Sequence, residues 1–480
     1  MPPPETLDAL VLGAGPAGST AARLLAQWGH SVAILTVPPS RHSLAECLPP
    51  STQKVFQFLG IHHAVEAAGF YRTTGNTVWW GRSARRVEPY LEGAGYQVLR
   101  RDFDRLLLTL AQSAGARLQI GGPAPQARFV LDCSGRAGVI ARSYRVKPKN
   151  LRTVALCGVW RSQAGWKLPD ATHTLVETYS DGWAWSVPLP GSVRQVAFMV
   201  DPVETRLLRG KGLASAYRAE MAKTKTFRRV FARSTLESAP WGCDASPYSS
   251  RQYCGPGFLL AGDAASFIDP LSSFGVKKAM VSAWIGAVVA NTCLRKPVIE
   301  ETALHFFDER ERAVYAGYRD QSRRWSMALS AAEGQPFWST RSDSDGEPPA
   351  AGVDAEEVRA ALSVLRQHAA IHLRRAENVI IRPVPAIDGC EIVLRNALVA
   401  PGSDSPIDFI AGVDACALAA MAPHHNQVPA LFEAYNHTCP AVGLPHFLTA
   451  LSTLVARKIL VAGSAGQRSA ARGRKPRAAS

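Results

Sequence analysis

Three glycines near the start of the chain constrain its fold more than any other feature. Gly13, Gly15 and Gly18 follow an apolar run, Ala9 to Leu12, and open a helical segment, Ser19 to Trp28; a second apolar run, Ser31 to Leu35, comes next. Strand, glycine turn, helix, strand is a βαβ unit. Each glycine has its own job there. Gly13 permits the tight turn, Gly15 lets the backbone approach a pyrophosphate, and Gly18 lets the helix pack close to the strand. The helix start, with Pro16 and Ala17, presents free N–H groups and a partial positive charge to phosphates. The pattern predicts a dinucleotide site. An acidic residue about 20 positions on normally bonds the ribose. Thr36 stands in that place, with Arg41 nearby to share the contact.

A second motif selects the dinucleotide. Phe258 to Ala261 reads as a strand that runs into Gly262-Asp263, followed by Asp269-Pro270 and a helix from Val276 to Leu294. This resembles the Gly-Asp motif of FAD-dependent aromatic hydroxylases. The resemblance implies that Asp263 bonds the ribityl chain. It also implies that the following loop and helix start, through Pro270, Ser273, Gly275 and Val276, face the flavin, where a positive helix dipole favours the reduced anion. Val130 to Arg136 (VLDCSGR) resembles the same family's second strand-end motif, and Arg100-x-x-Phe103-Asp104 the segment that opens the helix between them. FAD is the implied cofactor. NAD(P)H is the implied reductant, without a nucleotide fold of its own, because G-x-G-x-x-G occurs once.

Two further segments narrow the resemblance to flavin halogenases and their monooxygenase relatives. Ser43 to Pro49 (SLAECLP) is similar to their G-E-S-L-P segment, and Gly182 to Pro188 (GWAWSVP) to their W-x-W-x-I-P signature. Read locally, Trp183 and Trp185 are one face of a strand. The resemblance implies that they, with Phe274, exclude water near the flavin, and that Glu46 and Asp269 handle protons or orient substrate. Halogenation needs a lysine within G-F-x-x-K-x-G; here Gly69 to Gly75 reads GFYRTTG, with Thr73 in the lysine's place. That departure predicts oxygen transfer from a flavin C4a-hydroperoxide to an aromatic ring. The C-terminal region resembles the extension of the QhpG-type monooxygenases of tryptophylquinone biogenesis in quinohemoprotein amine dehydrogenase. The substrate this implies is a tryptophan within a partner polypeptide, with O2 as co-substrate. Alternatives are a tryptophan or aryl halogenase and a prenyl-chain reductase.

The expected fold class is α/β plus β: a single-nucleotide-fold (Rossmann-like) FAD domain with an interleaved β-sheet substrate layer, and a small α+β C-terminal domain. The FAD domain is expected over 1–150 and 240–332, and the β-layer over 151–239. Residues 333–352 read as a linker rich in Ser, Asp, Gly and Pro. The α+β domain is expected over 353–462, its first helix capped by Asp354, and a disordered basic tail over 463–480. The C-terminal domain is a candidate docking module for a maturation partner. Part of the formal charge of +15 lies in the last forty residues, which hold no Asp or Glu; a solvated tail, not a nucleic-acid contact, is expected. The nine cysteines are scattered without a C-x-x-C pair, which argues against disulfides and zinc and for a reducing, cytoplasmic compartment. His368 and His372 have helical i, i+4 spacing, but nothing completes a metal set. No apolar run is long enough to span a membrane.

Overall fold

The structure, a computed structural model, describes residues 6–38, 42–81, 85–205, 212–333, 336–342, 355–367, 370–400 and 406–462. Arg41, Asp354, His368 and the tail 463–480 lie outside them. The chain divides into two compact units, Met1–Glu347 with Ile387–Ile392, and Pro348–Ala386 with Val393–Ser480.

The first unit begins with strand β1 (Leu7–Leu12), helix α1 (Pro16–Gln27) and strand β2 (Val32–Thr36). β1 is buried nearly throughout, as a strand in a parallel sheet covered on both faces must be. It pairs in parallel with β2 on one side and with β3 (Ala127–Asp132) on the other. Arg117–Ile120 extends the sheet beyond β2 as an edge strand, so the segment after Ala116 is one strand and a turn.

Three long strands of a second, eight-stranded sheet follow: β4 (Val154–Arg161), β5 (Gly182–Leu189) and β6 (Val193–Val200). β6 lies between the other two, antiparallel to both, and every residue in it is buried. A short strand, β7 (Trp241–Asp244), pairs with β4. The chain then returns to the parallel sheet with β8 (Phe258–Leu260), beside β3. Helix α2 (Gly275–Arg295) crosses that sheet and is buried almost along its full length. This burial accounts for its apolar run, and among the described residues no helix is long and apolar enough to cross a membrane. Small residues on α1 and α2 let them close on each other. A Cβ on Gly262 would meet Ala17 at 2.9 Å and Ala279 at 3.3 Å.

Helix α3 (Glu300–Glu333) is followed by a feature that sequence reading missed. Within the expected linker, Pro336–Ser342 forms helix α4. Phe337 and Trp338 are buried against Trp183 and Met199 of the second sheet. The stretch is polar in composition, but two aromatic residues and Arg341 seat this part of it. Arg341 donates to the Arg152 carbonyl at 3.0 Å and to Thr153 Oγ1 at 2.7 Å.

The second unit has its own core, including Leu418, Leu431, Tyr435, Phe447, Leu451 and Leu454. Its helices are Ala355–Gln367, Ala415–Met421, Val428–Thr438 and Leu444–Ala456, the last of them unforeseen. Asp414 caps the second by accepting from the Ala417 N–H at 2.9 Å. A hairpin, Ile380–Asp388 with Glu391–Val399, completes it; the tip of the hairpin counts with the first unit. The first helix ends at Gln367 and His372 lies outside it, while the expected helical partner His368 is outside the described residues.

Candidate active site

A cavity of about 670 Å³ runs through the first unit, from the ends of β1, β2 and β3 to the inner face of the second sheet. Its walls come from segments the sequence singled out and from several it did not.

The three glycines stand in different surroundings. Gly13 has φ +100°, and a Cβ there would lie 2.6 Å from the Cys133 carbonyl oxygen. A Cβ on Gly18 would lie 1.8 Å from the Gly13 carbonyl oxygen, so only glycine allows α1 to start there. Gly15 differs: its Cβ would meet nothing nearer than 3.8 Å, in space that opens on the cavity. Gly15 is also the N-cap of α1 and has no side chain to satisfy the first N–H groups. Those donors, with Pro16 at the first position, face the cavity as an anion site. Thr36 lines the same end, and its hydroxyl donates to its neighbour's carbonyl, Val37, at 3.3 Å.

Asp132, at the end of β3, is fully buried and shapes this end without lining it. Its carboxylate accepts from Ser134 N and Oγ and from the N–H groups of Ile140 and Ala141, at 2.5–3.0 Å. A buried carboxylate needs such donors, and here they fold the loop carrying Ser134 and Arg136 over the cavity.

The middle of the cavity holds Arg100, Glu46 and Asp263. Arg100 makes a two-pronged contact with Asp104, at 2.9 and 3.1 Å, and lies 3.7 Å from Glu46. Among the described residues no protein group donates a hydrogen bond to the Asp263 side chain. Burial pushes Glu46 up to about 7, with the charges of Asp263 and Asp104 adding and Arg100 opposing. The Glu46 side chain keeps 24 % of its surface accessible, and it lines the cavity. Gln195, on β6, holds this segment in place. Its Oε1 accepts from the Ala45 N–H at 2.6 Å, and its Nε2 donates to the Ser43 carbonyl at 3.0 Å.

Open space at Gly15, uncapped helix donors and a carboxylate without a protein donor suit a dinucleotide with a polyhydroxyl chain. The comparisons with known proteins give the same reading. A tryptophan halogenase family model matches residues 116–366, and an FAD-binding domain model matches residues 6–124. The chain belongs to the tryptophan halogenase family. This halogenase-family flavoprotein uses FAD. It is 30% identical over 362 residues to the tryptophan 2-halogenase of Chondromyces crocatus, covering 68% of either chain. Its fold is similar to that of CmlS, a flavin-dependent halogenase, with TM-score 0.74, 19% identity and 98% of both chains covered. It is also similar to QhpG, a peptidyl tryptophan dihydroxylase of tryptophylquinone biogenesis, with TM-score 0.70, 21% identity, and 94% of this chain and 99% of that one covered.

The cavity gathers Gly13, Gly15, Pro16, Ala17, Thr36, Glu46, Arg100, Asp263, Asp269, Pro270, Ser273, Gly275, Val276 and Trp185. Gly18 and Gly262 act behind the wall, as packing residues. Two expected water-excluding side chains are not in it. Trp183 is 3 % exposed and packs with Phe337 and Trp338 of α4. Phe274 turns its ring to Tyr318 of α3, centroids 5.9 Å apart. Of the tryptophan pair in this halogenase-family chain, only Trp185 reaches the cavity. Asp269 does line it, but its carboxylate accepts from the Leu271 N–H at 3.0 Å and caps the turn before α2. Gln195, Cys157, Cys243 and Asp244 also line the cavity, and sequence reading passed over all four as site residues. They lie on strands of the second sheet, where nothing in the local sequence marks them.

Proposed function

We propose that this chain is an FAD-dependent oxygenase that transfers oxygen, not halogen, to an electron-rich aromatic ring. The observation that carries the reading is the residue at the halogenase lysine's position. Thr73 is buried, and its hydroxyl donates to the Gly75 carbonyl at 3.3 Å. Among the described residues no lysine lines the cavity. Lys278, buried beside it on α2, is committed to the carbonyls of Gly262 and Ser266. Among the described residues, no lysine amine therefore lines the cavity to take up an oxidised halide.

Bound FAD, once reduced by NAD(P)H, supplies the activation of O2. The chain supplies position, dryness and a base. The α1 N-terminus and Arg100 would hold the pyrophosphate, and Asp263 would accept from the ribityl hydroxyls. Trp185, Leu44 and Met199 present an apolar wall that keeps water out. A ring attacked by an electrophilic oxygen must lose a proton from the attacked carbon, and Glu46 accepts it. Below about pH 7 Glu46 is protonated and cannot; above it, it can. The oxidation rate is expected to rise through pH 7, and Glu46→Gln to lower kcat by about 100-fold or more and flatten that rise. An unchanged profile in the variant would remove Glu46 from the reaction.

The ring we propose is an indole, in a tryptophan of a partner polypeptide, with the second unit as a docking module. The fold likeness to QhpG along nearly the whole chain supports this substrate class. The names of the sequence relatives favour the second reading, tryptophan halogenation. Product mass separates the two. With FAD, NADH, O2, indole peptides and both chloride and bromide present, a gain of oxygen is expected. A halogen isotope pattern, or no mass gain with any indole substrate, would overturn oxygen transfer.

A further inference from the structure

Cys157 and Cys243 take no part in the reading above, yet both stand in the wall of the flavin cavity. They lie on neighbouring antiparallel strands, β4 and β7. The register pairs Ala155 with Cys243 and Cys157 with Trp241. The cysteines are therefore diagonal neighbours on one face of the sheet. The Cys243 S–H donates to the carbonyl of Ala155, its register partner, at 3.9 Å. Arg136 is close by, 2.7 Å from Asp244, the residue after Cys243.

We propose that Cys157 and Cys243 form a peroxide-responsive dithiol in the cavity wall, with Cys243 attacking and Cys157 resolving. The oxidant is hydrogen peroxide, which forms wherever reduced flavin meets O2 without completing group transfer. The Cys243 thiolate attacks one peroxide oxygen; the S–O bond forms, the O–O bond breaks, and hydroxide leaves and takes a proton to become water. The Cys157 sulfur then displaces the hydroxyl of the sulfenic acid. A disulfide forms and a second water leaves with the Cys157 proton. Two thiols are oxidised by two electrons, and one peroxide is reduced to two waters. Nothing in this depends on whether the enzyme transfers oxygen or halogen.

The electrostatics favour this order of events. Cys243 is held below the usual thiol range, first by its neighbour Cys157 and then, against its burial, by Arg136. Cys157 is pushed up by the same neighbour and by burial. The third thiol at the cavity, Cys133, is driven well up by burial and then by Asp132. A lowered, cavity-facing thiol beside a resolving partner is the pattern of a redox-sensitive pair.

Closure also has a structural consequence. Diagonal cross-strand neighbours sit about 7–8 Å apart at Cα, and a disulfide needs about 4.4–6.8 Å. Closing it draws β7 toward β4. β7 is four residues long and, among the described residues, pairs with β4 alone, so it yields more readily than its neighbours. Asp244 and Ala245 follow at once and line the cavity. Oxidation should therefore loosen the Arg136–Asp244 contact and weaken FAD binding by about tenfold.

The test uses the full-length FAD-loaded protein and hydrogen peroxide as the probe. Before peroxide, Cys243 should be the fastest cavity cysteine to alkylate. After a few equivalents, peptide mass spectrometry should show a Cys157–Cys243 link, reversed by dithiothreitol, with flavin fluorescence rising as FAD is released. In Cys157→Ala, a dimedone-reactive sulfenic acid should persist on Cys243. Alkylation of Cys243 no faster than of Cys133, or peroxide treatment that leaves the pair unlinked, overturns the proposal. Both of those readouts come from the unmutated protein, so they stand even if the variant does not fold.

Discussion

Replacing Gly15 with valine should yield a folded protein that purifies without flavin. A Cβ at this position meets only ordinary van der Waals contact, 3.8 Å from Arg100 Nη2, and the backbone is extended, so the fold accepts the side chain. The added methyl groups instead fill the space where the backbone approaches a pyrophosphate. FAD affinity should fall by about 100-fold or more, roughly 3 kcal/mol. Flavin absorbance per chain and a titration of the apo-protein measure the loss, and circular dichroism confirms the fold. Gly18→Ala is the contrasting control. Its Cβ would sit 1.8 Å from the Gly13 carbonyl oxygen, and only backbone movement relieves that. This variant should lose stability and flavin together. Full flavin occupancy in Gly15→Val would show that the cavity at the start of α1 does not hold the pyrophosphate.

The second large effect concerns Trp338, in a stretch whose composition reads as a linker. Trp338 is 1 % exposed, and its Nε1–H donates to the Tyr179 carbonyl at 2.9 Å. Its ring contacts Trp80 and lies edge-on to Phe337. Trp338→Ala removes this area, leaves a cavity against the second sheet and takes away the indole N–H that the Tyr179 carbonyl accepts from. The expected loss is about 3–5 kcal/mol, read from chemical denaturation of the apo-protein. A solvated linker would give a change within about 0.5 kcal/mol, and that result would sink the account of α4. Trp183 rests on the same contacts. Its truncation should also act on stability first, whereas Trp185→Ala should act on the cavity.

Much of the cavity wall was legible because the signals are local. Gly13, Gly15, Gly18 and Asp263 stand at turns at strand ends, where a few consecutive residues set the path of the backbone. Thr36 was legible as a missing acid, and Thr73 as a missing lysine, because a pattern with fixed spacing makes a substitution visible. Strand periodicity likewise placed Trp183 and Trp185 on one face. It did not reveal that α4 covers one of them and leaves the other to the cavity. That depends on packing between segments about 150 residues apart, which leaves no local trace.

The surroundings of Glu46 are of this second kind. Gln195 clamps the Glu46 segment from a strand about 150 residues away, and the charge state of Glu46 follows from burial beside Asp104 and Asp263. Cys157 and Cys243 become a pair only through the register of β4 on β7. The sequence by itself determined that this chain builds a dinucleotide cradle of the flavin type and carries Thr73 where the halogenase-like motif has a lysine, because both follow from residue identity at fixed spacing. The tertiary structure decided which side chains face the flavin cavity and how their protons are held, because orientation, burial and field are set by the whole packed unit.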